Sequence, residues 1–135
     1  MDCSNNRLQA FEGLDAPLLR RLVLSKNLLQ SVTGFDKNPQ LETLNLDNNK
    51  IASCAGLGQP SLKEISLANN QIADAAGLDG LTVKALDLSW NNLSSLQGFP
   101  TNGVLKSLIL TSNKVRVQIV PWGCMIPRAP ALRRT

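Results

Sequence analysis

A chain of 135 residues fits one domain, and 43% hydrophobic content with only 4% aromatics implies an aliphatic core. The sequence contains no His, which removes the usual general base and the commonest metal ligand. The formal charge of +4 is unevenly spread, because up to Asn113 nine Lys/Arg face ten Asp/Glu, a net of −1. The excess comes from Lys114, Arg116, Arg128, Arg133 and Arg134, so the basic balance belongs to the end of the chain and is weak evidence for nucleic-acid binding.

The opening MDCSNN is polar and no apolar h-region follows, so a signal peptide is not expected. No run approaches the roughly 18 apolar residues of a membrane span. What organises the chain is a repeat, clearest in residues 41–51, LETLNLDNNKI. With Asn as origin, the repeat recurs at Asn6, Asn27, Asn49, Asn70, Asn91 and Asn113, at intervals of 21 or 22 residues. Three before each Asn stand Cys3, Leu24, Leu46, Leu67, Leu88 and Leu110, and five before stand Met1, Leu22, Leu44, Ile65, Leu86 and Leu108. Two after come Leu8, Leu29, Ile51, Ile72, Leu93 and Val115. Five units continue with an apolar residue, then Gly13, Gly34, Gly56, Gly77 or Gly98; the sixth breaks off after its strand half.

The L-x-x-L-x-L-x-x-N-x-L pattern at this period resembles a leucine-rich repeat. Its length and N-x-Φ-x-x-Φ-x-G-Φ continuation (Φ apolar) are similar to the 21–22-residue subfamily typified by the protein phosphatase 1 regulatory subunit. Axonemal dynein light chain, the spliceosomal A-prime protein and bacterial internalins share that repeat type. The resemblance covers about residues 1–115 and implies an α/β repeat solenoid. Such a horseshoe has a parallel concave sheet of about six short strands, with short helical turns or extended segments on the convex side.

Each L-x-L alternates apolar and polar, as a half-buried strand does. One unit cannot bury its own leucines; stacked neighbours complete a shared core. Where the chain leaves each strand, buried backbone groups need partners. An inward amide offers both donors and an acceptor, which gives the Asn column a structural role as a ladder. The Gly column suggests positive φ or close backbone approach.

Outward strand positions are expected to form the binding face. Four before the Asn lie Asp2, Val23, Asn45, Ser66, Asp87 and Ile109, and six before lie Arg21, Thr43, Glu64, Ala85 and Ser107. Trp90 directly precedes Asn91 in a column that is otherwise polar, and exposed Trp is enriched at hot spots. The candidate partner-binding set is Trp90, Asp87, Asp47, Val23, Asn45, Ser66, Glu64 and Ile109. A further row, Arg20, Glu42, Lys63, Lys84 and Lys106, aligns lysines at the start of the strands without any aromatic ladder, which weighs against nucleic acid.

Cys3 and Cys54 fall in apolar slots two repeats apart, about 4.8 Å per strand, beyond disulfide reach of roughly 7 Å. They read as reduced core residues of an intracellular protein, cytoplasmic with nuclear and ciliary alternatives. Residues 116–135 form a basic, Pro-containing tail, either irregular or an improvised cap in which Trp122, Met125 and Ile126 fold back. Met1 already occupies a core slot, so uncapped ends and end-to-end self-association are expected. No cofactor, metal, membrane or small-molecule substrate is implied. The expected function is a non-catalytic scaffold that binds a globular protein on its concave face. By resemblance it is a regulatory subunit of a phosphatase or of an axonemal or cytoskeletal complex, with a ribonucleoprotein component like the A-prime protein as the alternative.

Overall fold

The computed structural model describes residues 1–100 and 103–115. Five strands, β1 (Arg21–Val23), β2 (Thr43–Asn45), β3 (Glu64–Ser66), β4 (Ala85–Asp87) and β5 (Ser107–Ile109), form one parallel sheet in the order of the chain. Leu22 registers with Leu44, Leu44 with Ile65, Ile65 with Leu86 and Leu86 with Leu108, so like positions of successive units stack. Each coil of the chain is therefore one repeat, and the molecule is a solenoid.

Two expectations need correction. The sheet has five strands rather than about six, because the first unit adds only the bridge Asp2↔Val23. Its Met1 and Asp2 supply just two of the three strand positions that the other units fill. The α/β class is the second: no helix occurs among the described residues, and of the two forms expected for the convex side the extended one is present. Turns closed by bonds such as Asn38 N–H to Phe35 O (2.9 Å) and Leu78 N–H to Ala75 O (3.0 Å) return the chain instead. A unit this short has too few residues to cross back as a helix. The expected tail over residues 116–135, with Trp122, Met125 and Ile126, lies outside the described residues.

The core is aliphatic. Leu22, Leu24, Leu29, Leu41, Leu44, Leu46, Ile51, Leu67, Ile72, Leu88 and Leu93 are all fully or almost fully buried in one continuous cluster. Burial of each such side chain contributes roughly 1.5–3 kcal/mol before chain entropy is subtracted. Aromatic packing enters once among the described residues, where Phe11 stacks on Phe35 at 4.9 Å. Cys54 is buried as a free thiol and Cys3 is half-buried and free.

Each inner Asn ties its coil to the one before. Asn70 Nδ2 donates to Leu46 O and Leu67 O, both at 3.0 Å, and its Oδ1 accepts the Ile51 N–H at 3.0 Å. Asn27, Asn49, Asn91 and Asn113 repeat that pattern with their own neighbours. On the convex side the coils approach closely at glycine. Gly34 and Gly77 have φ of 92° and 87°. A Cβ on Gly77 would sit 2.6 Å from the Cys54 carbonyl carbon, so no side chain fits there.

Asn70→Ala removes three buried bonds and leaves Ile51 N–H unpaired, while Leu46 O and Leu67 O keep the Asn49 and Asn91 amides, so it should cost about 1–3 kcal/mol in urea unfolding. Asn6, exposed and bonded only within its own coil, should tolerate Ala within about 0.5 kcal/mol. Equal costs at the two positions would remove the ladder from the account of stability.

Candidate functional site

The concave face is built from the outward positions of the strands. In every strand the central residue is buried and its two neighbours turn away from the core, as the pleat requires. Arg21, Thr43, Asn45, Glu64, Ser66, Ala85, Asp87, Ser107 and Ile109 line a shallow open groove of about 220 Å³ across the sheet. Small-ligand pockets are usually closed and hold at least about 300 Å³. The shape suits a broad protein surface better than a small molecule.

Of the candidate residues, Asn45, Glu64, Ser66, Asp87 and Ile109 come together in this groove, while Val23, Asp47 and Trp90 are not among its lining. Asp47 is tied down. Its Oδ1 accepts the Ser66 hydroxyl at 2.6 Å and the Ala68 N–H at 2.9 Å, so this oxygen joins two coils. Asp87 uses one oxygen for the Ser89 N–H of its own turn at 2.9 Å, and Asn45 does the same for Asp47 N–H at 3.0 Å. Arg21 joins the groove although the candidate set omitted it. Its column is the one that places Glu64, which is the signal that could have found it. The groove thus carries a cation at its β1 end, carboxylates over β3 and β4, and apolar Ala85 and Ile109 beside them.

Trp90 has the most unusual backbone for its size. All six residues that directly precede the ladder Asn, namely Asn5, Lys26, Asn48, Asn69, Trp90 and Ser112, have φ between 55° and 57°. The coil needs a left-handed residue there so that the next side chain, the Asn, can turn inward. Asn adopts this conformation readily, whereas a bulky L-residue is strained in it. Asn69 Nδ2 also donates to Asn48 Oδ1 at 2.6 Å, which links two neighbouring residues of this column. Trp90 is 65% exposed, so neither local conformation nor core packing accounts for an indole at this turn. Strain of this kind is characteristic of functional positions.

Along the start of the strands, Lys63 Nζ lies 3.0 Å from Glu42. The hydrogen bond from Lys63 holds the Glu42 carboxyl below its ordinary range, against a smaller opposing effect of desolvation. One of the three aligned lysines is therefore paired within the row. Burial pushes the Cys54 thiol up to about 12, with the nearby Asp74 carboxylate adding to the shift. A thiol so protonated is a poor nucleophile at neutral pH. Among the described residues no group of His, Cys, Asp and Glu is placed to hold a metal ion. No helix there is long and apolar enough to cross a membrane.

Comparison with known families agrees with this architecture. A family profile described as Leucine Rich repeats (2 copies) matches residues 17–59, and one described as Leucine Rich repeat matches residues 58–78 and 81–95. No curated protein matches the chain.

Two outcomes follow for single side chains. Trp90→Asn relieves the left-handed strain and should raise stability by about 0.5–1 kcal/mol, read as a higher urea midpoint; a lower midpoint would mean that the indole stabilises the fold. In alkylation at pH 8, Cys3 should react in the native state while Cys54 stays protected until the protein unfolds. Fast native labelling at Cys54 would contradict its burial.

Proposed function

Starting from a chain built of leucine-rich repeats, we propose that this protein is a non-catalytic scaffold whose concave face docks a globular protein partner. Leucine-rich repeat domains generally mediate protein–protein interaction. The observation that carries the reading is Trp90, an exposed indole held in a left-handed turn at the rim of the strands. Truncating a Trp anchor typically costs at least about 2 kcal/mol at an interface. Asp87, Glu64 and Ile109 in the adjoining groove give the partner a mixed acidic and apolar surface to meet. Such a surface selects a partner segment with Lys or Arg beside an aliphatic side chain.

A regulatory or assembly subunit is the role this geometry serves, in the manner of the phosphatase and axonemal proteins whose repeat length it resembles. A protein partner is favoured over RNA because the lysine row is interrupted by Glu42 and one of its lysines pairs with that carboxylate. The groove between the strands also presents carboxylates rather than aromatics to a ligand.

The test is affinity capture with the whole chain, followed by titration of the partner recovered. Trp90→Ala combined with Asp87→Ala should weaken binding at least about thirty-fold, equivalent to roughly 2 kcal/mol. A convex-face control, Asp79→Ala, should bind as the wild type does. Equal affinity for all three proteins, with unfolding midpoints unchanged, would exclude the concave face as the docking surface.

A further inference from the structure

We propose that the docked partner lays a bipolar segment along the β4 coil, with an acidic side chain over Lys84, a basic one between Glu64 and Asp87, and an apolar one against Trp90. This rests on concave docking as proposed above and adds the charge order of the partner and the coil that reads it.

Most polar side chains on this face are already used by the fold. Asp47 Oδ1 holds the Ser66 hydroxyl and the Ala68 N–H, and Asn45 Oδ1 holds the Asp47 N–H. Lys63 takes the Glu42 carboxylate of the coil before it. Three charged groups of the β3 and β4 coils are left over. Glu64 and Lys84 are exposed, and their side chains make no hydrogen bond or ion pair among the described residues. Asp87 gives one oxygen to the Ser89 N–H at 2.9 Å and keeps the other.

Lys84 has no counterpart to Glu42. One coil back in its row stands Lys63, whose carbonyl accepts the Lys84 N–H at 2.7 Å, and one coil on stands Lys106, whose N–H donates to Lys84 O at 2.8 Å. The row therefore offers this ammonium only like charge. Glu64 and Asp87 lie diagonally across the β3–β4 pair, since Glu64 registers with Ala85 and Ser66 with Asp87. Side chains so related are roughly 7 Å apart at Cβ, a gap that one guanidinium or ammonium group can bridge. Ala85 occupies the corner between them and is too small to block it, so the methylene stem of such a group can pack there.

Cation, carboxylates and indole thus follow one another along a single coil. Lys84 precedes β4, Asp87 ends it about 10 Å further on at 3.3 Å per residue, and Trp90 comes three residues later. A partner that covers this strip has to answer both signs, because a charge covered without a counterpart is penalised. A purely basic segment is repelled at Lys84, and an acidic one or a nucleic acid at Glu64 and Asp87.

A random library of 16-residue peptides selected on the whole chain tests this. Peptides recovered on the wild type should carry an acid and a base together, and should bind more weakly as salt is added. Lys84→Glu and Glu64→Lys change side chains that hold nothing in the fold, which an unchanged circular dichroism spectrum checks. Each should weaken the selected peptides at least about ten-fold. Reversing the acid of the peptide should restore binding to Lys84→Glu and not to Glu64→Lys, and reversing its base should do the opposite, a cross-over that a general loss of folding does not produce. No enrichment, peptides of one sign only, or reversals without the cross-over would each overturn the proposal. A captured globular partner that needs Trp90 and Asp87 but ignores Lys84→Glu would overturn it too, while leaving concave docking intact.

Discussion

The constraint on which this fold depends is that a chain leaving a buried strand must not abandon its backbone polar groups. A coil of 21 or 22 residues has no room for a helix to absorb them. The inward amide of one Asn per coil does it instead, by taking two carbonyls and one N–H at a time. In Asn91 these are Leu67 O at 2.9 Å, Leu88 O at 3.1 Å and Ile72 N–H at 2.9 Å. Two of the three belong to the preceding coil, so the same bonds that close one turn fasten it to its neighbour. Registration of the leucines follows, because a slip of one coil against the next would break the amide contacts along with the strand pairing.

That solution has a local cost. To swing the Asn inward, the residue before it adopts a left-handed conformation in all six coils. Asn5, Asn48 and Asn69 meet this requirement easily, and Trp90 meets it under strain. An element otherwise tuned for stability thus carries one side chain that the fold does not need, on the surface where it is most available to a partner. The nearby groove, with Asp87 and Glu64 beside Ala85 and Ile109, gives that side chain a chemical context rather than an isolated exposure.

The first described coil is written by the same rule as the coils inside the stack. Inner coils satisfy one another, and the first coil has no counterpart for Asp2 backbone groups or Asn6 Oδ1 among the described residues. Stability in such a chain is distributed as a sum over neighbouring coils. The exposed Met1 and Leu8 are apolar for the same reason that Leu22 and Leu29 are, since the repeat writes each coil for a neighbour on both sides.

The repeat, the phase of the buried leucines and the direction of the strand side chains were legible in the linear chain, because each depends on spacing alone: a period of 21 or 22 residues cannot bury its apolar slots except by stacking. The strand count and the form of the convex side were not, since they turn on how many residues each unit offers for pairing and for the return. The left-handed column was hidden because Asn, Lys, Trp and Ser share no side-chain property, and only the geometry of the turn unites them. Asp47 reads in sequence as an outward carboxylate like Asp87. Only the folded chain brings Ser66 and Ala68 N–H from the next coil within 2.6 and 2.9 Å of it, because contacts between coils are set by the stacking of separate turns and not by distance along the sequence.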